Sequence, residues 1–347
     1  MSRRSLSSLT RAYERNLKAL TKVALGSGKR IARQVGHAAA QQLKPPPGRG
    51  DWLAGAALGP AGARAFHLYR PPGLALQAGE RLPLMVMLHG CAQTGRDFAI
   101  ATRMNRVADR ERFLVLYPEQ DRLANAQGCW NWYDRRSGKA DAEAATLMAA
   151  IDQVLLLYPA DRERVAVAGL SAGASMAALL ATRYPLRFQA VAMHSGVAPG
   201  AAKSPATALG AMRGRHVPPM PATAVGKAMG AAAVFGSLPP LLILHGNADS
   251  VVAPSNAASS AEVWAMATGS RAGTPRVLQR GKRHPMRVTD FERGGQTVVT
   301  LCEIAGLGHA WSGGASRIRF TDAAGPDASK LVWAFAARQF RLGAARS

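Results

Sequence analysis

From residue 64 onward, short apolar runs alternate with stretches long enough to form a helix, and this rhythm constrains the fold more than any other feature. The runs are 65–69, 84–88, 113–117, 165–168, 190–193, 241–244 and 298–304. Each is a buried strand in length and composition. Strands that alternate with helices imply a mostly parallel sheet covered on both faces, an α/β architecture. With 347 residues, 48% of them hydrophobic, the chain can bury a core of that size. Two of the runs end in His-Gly, MVMLHG and LLILHG. No repeat period accompanies them, so they read as two similar strand ends.

The most informative junction is VAVAGLSAGASMAALLA, residues 165–181. A buried strand ends and an Ala-rich helix begins at Ser171, inside Gly169-Leu170-Ser171-Ala172-Gly173. This fits the G-x-S-x-G nucleophile elbow, in which a tight turn lifts the serine hydroxyl above the sheet. Five residues alone are a weak signal, since chance supplies about 0.2 matches in a chain of this glycine content. The strand before and the helix after supply the context the motif needs. Ser175, one turn along, reads as a packing residue.

A serine hydroxyl needs a base, and the base needs an acid to orient it. In the α/β-hydrolase order of serine, acid and histidine, Asp249 follows the strand of LLILHGNADSVV and His309 follows that of VTLCEIAGLGHAW. The rivals fit less well. His89 and His245 precede the serine or the acid, and His194 follows a strand near the elbow as a structural residue. His216 and His284 lie in basic, Pro-containing segments that read as exposed loops. Asp290, Asp322 and Asp327 lie in polar segments that also read as loops. The oxyanion requires backbone donors, and the amides of Ala172 and Cys91 are placed to supply them. This chemistry calls for no metal and no organic cofactor.

Residues 1–50 differ from the rest. They hold eleven of the 44 Lys and Arg and one of the 21 acidic residues, and so supply ten of the +23 net charges. Leu6, Leu9, Tyr13, Leu17, Leu20 and Ala24 recur at spacings of three and four, while Arg11, Arg15, Lys18 and Lys22 occupy another face. That pattern is a basic amphipathic helix. KPPPGRG, residues 44–50, then reads as a linker to a domain over 51–347. The arm suits an anionic surface, a hydrophobic particle or its own domain. Its few aromatic residues disfavour stacking on nucleic acid.

Charges interrupt every window that could serve as a signal peptide, and no run approaches the length of a membrane span. A cytoplasmic or granule-associated location is the expectation. Cys91, Cys129 and Cys302 lack metal-site spacing. Pairing of Cys91 with Cys129 is open and would require an oxidising compartment. Residues 196–240, rich in Ala, Gly and Pro and free of acidic side chains, read as a partial lid. Trp130, Trp132, Tyr133 and Trp311 lie in loops beyond strand ends, where they read either as packing or as an apolar floor for substrate.

The blocks LMVMLHGCAQTG, FLVLYPEQ, GCWNWYD, VAVAGLSAGASMA, LLILHGNADSVV and GLGHAWSGG occur in this order. Together they resemble the esterase family of poly(3-hydroxybutyrate) depolymerases, in particular its short-chain-length members. The resemblance covers roughly residues 60–335. It implies an α/β-hydrolase fold and a serine esterase acting on polyhydroxyalkanoate or related esters, with Ser171, Asp249 and His309 as its triad. Feruloyl and acetylxylan esterases resemble the same core, so a carbohydrate ester is the alternative substrate. Many relatives are secreted, which keeps an extracellular location open. An inactive scaffold that coats a polyester granule or binds nucleic acid is disfavoured by the intact triad.

Overall fold

In a computed structural model of the chain, the described residues are 45–215 and 238–345. Of the arm expected over 1–50, residues 1–44 lie outside them, as do much of the expected lid and His216. The described residues build one mixed sheet of eleven strands, β1 (Asp51–Gly59), β2 (Gly62–Arg70), β3 (Leu82–Leu88), β4 (Leu114–Pro118), β5 (Ala160–Leu170), β6 (Ala190–His194), β7 (Leu241–Gly246), β8 (Arg271–Ala272), β9 (Arg276–Leu278), β10 (Met286–Arg293) and β11 (Gln296–Ile304). Their order is β1-β2-β4-β3-β5-β6-β7-β11-β10-β8, and β9 pairs with β10. The six central strands, β4 to β11 in that order, are parallel, and the pairs on either side are antiparallel.

The central strands are apolar throughout because both of their faces are covered. On β3, Leu84, Val86 and Leu88 enter one core while Met85 and Met87 enter the other. Val165 and Val167 divide from Ala166 and Ala168 in the same way on β5, as the two-residue period of a strand requires. One core is closed by α3 (Lys139–Leu157), α4 (Ala172–Arg183) and α6 (Ser255–Thr268), through Leu147, Ile151, Leu180 and Trp264. The other is closed by α1 (Gly95–Thr102), α2 (Met104–Glu111) and the C-terminal α7 (Ala328–Ala344), where Trp333 stacks on Phe113 at 3.8 Å between centroids.

All seven expected strands are present. Those not anticipated lie at the margins, namely β1, β8, β9 and β10, where one face meets solvent and the apolar run is broken. Asp290 is a correction of this kind. It lies within β10, paired in register with Thr300 of β11, and accepts a hydrogen bond from that residue's hydroxyl. Asp322 lies in the two-residue strand β13 (Thr321–Asp322), opposite β12 (Trp311–Ser312), and Asp327 is the N-cap of α7. His284, expected to be exposed, is half-buried against Asp322 at 3.2 Å. Within the expected lid, residues 205–212 form α5 (Pro205–Met212), started by a Ser204–Thr207 capping box. No helix among the described residues is long and apolar enough to cross a membrane.

Candidate active site

Ser171 stands between β5 and α4 with φ 56° and ψ −120°, a conformation that costs a residue with a side chain on the order of 1–3 kcal/mol. Two glycines make the turn possible. A Cβ on Gly169 would lie 2.3 Å from the Gly173 carbonyl, and one on Gly173 would lie 2.2 Å from the Leu88 carbonyl oxygen. The strain is held by Ser171 N–H donating to the His194 carbonyl at 2.9 Å and by Ser175 N–H donating to the Ser171 carbonyl at 3.1 Å. The Ser171 hydroxyl has no partner among the described residues. Contacts between serine and histidine are often long before substrate arrives.

Asp249 and His309 meet beyond the ends of β7 and β11. The strands run side by side, and their loops interlock. Ala248 N–H donates to the Leu307 carbonyl, and Gly306 N–H donates to the Asn247 side chain. A Cβ on Gly246 would come within 1.9 Å of the Leu307 carbonyl oxygen, so only glycine permits this approach. Asp249 Oδ1 accepts from the amides of Val251 and Val252, both at 2.9 Å. Its Oδ2 lies 2.8 Å from His309 Nδ1 and 3.3 Å from His245 Nε2. Burial pushes the Asp249 carboxyl upward, but hydrogen bonds from His245 and His309 with the backbone amides outweigh burial and hold it well below the usual carboxylate range. The carboxylate therefore accepts a hydrogen bond from Nδ1–H, leaving the lone pair of His309 Nε2 free.

His194 joins the two halves of the site. Its carbonyl holds Ser171, and its Nε2 accepts from Ser312 N–H at 3.1 Å, three residues beyond His309. Its Nδ1 faces the Ser195 hydroxyl at 3.1 Å and so carries the ring proton. Burial lowers its pKa to about 3, aided by the nearby His245 and His309, so the ring is neutral. This agrees with the structural role read from the sequence. His245 is the contact that chain order concealed, because its partner Asp249 is a single helical turn away in sequence but lies past a strand end.

The two oxyanion candidates are arranged alike. Ala172 N–H is the first amide of α4 and has no intrahelical acceptor, as at every helix start. Among the described residues the Cys91 amide likewise donates to no protein group. Gly90, next to it, is close enough to the nucleophile that a Cβ there would lie 3.6 Å from Ser171 Cβ. Cys91 is disulfide-bonded to Cys129, so the pairing left open by the sequence is made, while Cys302 is free and buried. No group of three or more His, Cys, Asp or Glu among the described residues is placed to hold a metal ion.

The aromatic residues divide. Trp130 and Trp311 are 0% and 1% exposed, which corrects their reading as a substrate floor. Trp130 donates its indole N–H to the His89 carbonyl, and Trp311 donates to the Ser329 hydroxyl while packed between Phe98 and His194. Both rings are used for packing beneath the site because no face of either reaches solvent. Trp132, 9% exposed, lines a narrow recess with Ser175, Leu179, Val197 and Ala198, one helical turn from Ser171. Tyr133 is half-buried and packs edge-on against Trp132.

Several known esterases are similar to this chain. Poly(3-hydroxyalkanoate) depolymerase C of Paucimonas lemoignei is 31% identical over 229 residues, which are 65% of this chain and 54% of the relative. The chain therefore spans about half the length of that enzyme. Feruloyl esterase B of Neurospora crassa is 30% identical over 213 residues, 59% of this chain and 70% of the relative. Among solved structures, an acetyl xylan esterase from Aspergillus awamori superposes with a TM-score of 0.59 at 21% identity, over 76% of this chain and 94% of its own. That likeness shows the α/β-hydrolase fold. The sequence model of the family described as Esterase PHB depolymerase matches residues 64–274, from β2 through the elbow and Asp249, and this chain belongs to that family.

Proposed function

We propose that the protein is a serine esterase that hydrolyses short-chain hydroxyalkanoate esters, including those of poly(3-hydroxybutyrate), through an acyl-enzyme. The observation that carries this reading is the 2.8 Å contact between Asp249 and His309 Nδ1, which leaves His309 Nε2 to serve the strained Ser171 at the elbow. His309 takes the proton of Ser171 as its Oγ attacks the ester carbonyl, and the amides of Ala172 and Cys91 stabilise the oxyanion. Collapse of the tetrahedral intermediate expels the alcohol, which His309 protonates. Water activated by His309 then releases the acid and restores the serine. Asp249 keeps the imidazole oriented and stabilises its cation. No metal or organic cofactor takes part.

A carbohydrate ester is the second reading, favoured by the feruloyl and acetylxylan esterases among the relatives. Residues 1–50, basic and amphipathic by sequence, would anchor the enzyme to a polyester granule or another anionic surface. The deciding experiment compares amorphous poly(3-hydroxybutyrate) granules, a soluble butyrate ester, and feruloyl and acetyl sugar esters, each with wild type and Ser171→Ala. Ser171-dependent release of hydroxybutyrate from granules is the expected result. Activity on the sugar esters alone would establish the second reading, and full activity of Ser171→Ala would refute both.

A further inference from the structure

The oxyanion loop, residues 89–93, is held from outside itself. Four ties join it to residues 120–131. Cys91 is bonded to Cys129, Ala92 N–H donates to the Gln127 carbonyl, Trp130 Nε1–H donates to the His89 carbonyl, and Gln120 N–H donates to His89 Nε2. The last contact places the ring proton of His89 on Nδ1, which donates to the Gly90 carbonyl at 2.8 Å. Residues 120–131 form no helix or strand, so something else must fix them.

That anchor is Glu143, on α3, a wholly buried carboxylate with no part in the proton transfers above. Its Oε2 accepts from Asn131 N–H at 2.8 Å. Its Oε1 accepts from Asn131 Nδ2 at 2.5 Å and Gln120 Nε2 at 2.9 Å, with Arg64 at 3.5 Å as the neighbouring cation. The same Gln120 amide donates to the Cys129 carbonyl, and Asn131 Oδ1 accepts from Asn125, whose own Oδ1 receives Cys129 N–H. Every group facing Glu143 is a donor. A buried carboxylate satisfied in this way is costly to assemble and costly to disturb, because losing one partner strands the others.

We propose that Glu143 is a positioning residue for oxyanion stabilisation, fixing the Cys91 amide through Asn131, Gln120 and Cys129. The inference rests on the esterase reading given above. Glu143→Gln tests it well, since a glutamine keeps the shape but puts an NH₂ group against one of the donors, whichever way it turns. The expected result is a fall in kcat of about tenfold, short of the 10²–10³ seen when an oxyanion donor is removed outright. Serine phosphonylation by a fluorophosphonate, which also develops charge in the oxyanion hole, should slow in parallel. KM for the soluble ester, and inhibition by an ether analogue that lacks the carbonyl, should stay within about twofold.

A role confined to stability would lower Tm while leaving kcat and phosphonylation of the folded enzyme unchanged, and that outcome would overturn the proposal. So would equal losses in kcat and in binding of the ether analogue. Should Glu143→Gln not fold, Asn131→Ala carries the same test, because it cuts the side-chain links and keeps the Asn131 amide on Glu143. Wild type and Ser171→Ala run alongside. Activity that survives Ser171→Ala defeats the esterase reading, whereas Ser171-dependent activity indifferent to Glu143 defeats only this inference.

Discussion

Asp249 shows how much a single residue depends on where its partners stand. Both of its oxygens are occupied, one by two backbone amides and the other by two imidazoles. Asp249→Asn preserves the volume but presents an amide donor or a weaker acceptor to His309, favouring the wrong tautomer. The expected loss in kcat is roughly 10³–10⁴-fold, with little change in KM, measured on a soluble ester. Trp311 provides the contrast. A residue that formed a substrate floor would alter KM when replaced, but this ring is packed between Phe98 and His194. Trp311→Leu should therefore lower stability by about 2–4 kcal/mol in urea unfolding, with KM unchanged for the fraction that folds. A normal unfolding midpoint with a raised KM would return Trp311 to the substrate.

At the scale of elements, the elbow is a close approach between β5, β3 and α4 that leaves no room for a methyl group. Gly173→Ala should displace α4 from β3 and abolish soluble expression or, if the protein folds, activity. The same strand ends carry a pH signature. Burial holds His89 neutral with a pKa of about 4 and His194 with one of about 3. Each binds a proton when unfolded below about pH 6.5 but not when folded. Their contribution to stability is therefore complete above pH 6.5 and is lost as pH falls. Glu119 opposes them, since burial raises its carboxyl to about 7, and it contributes stability that is lost as pH rises from 4.5 toward 7. Two histidines against one glutamate leave a net gain on the order of 1–2 kcal/mol between pH 5 and 6.5. Urea midpoints at the two pH values check this. A lower midpoint at pH 6.5 would mean that one of the rings is protonated in the folded state.

At the scale of the whole molecule, net charge is densest at one end of the sequence. Residues 1–50 supply ten of the +23 charges, whereas the proposed catalytic groups lie from Cys91 to His309. Removing residues 1–50 is expected to weaken sedimentation with polyester granules and leave hydrolysis of a soluble ester within about twofold, and added salt should mimic the first effect. Equal binding by both forms would eliminate the anchoring role.

The sheet and the placing of Ser171, Asp249 and His309 at strand ends were legible in the sequence because each rests on local signals. The central strands are buried on both faces and are therefore continuous apolar runs, and the elbow needs its two glycines within five residues. The triad's order along the chain follows the strand order of the fold. The marginal strands were not legible, since β10 is half exposed and its acidic residue reads as a loop until Thr300 of β11 stands opposite. Nor could the sequence place Glu143. An acidic residue at the start of a helix is ordinarily solvated, and only the tertiary structure surrounds this one with donors from residues 64, 120 and 131. The sequence by itself determined the central sheet and which residues stand at its strand ends, because both rest on local runs and spacing. Which aromatic rings are wholly buried, and which carboxylate is ringed by donors from distant segments, were decided only by tertiary packing, because burial is a property of neighbours distant in the chain.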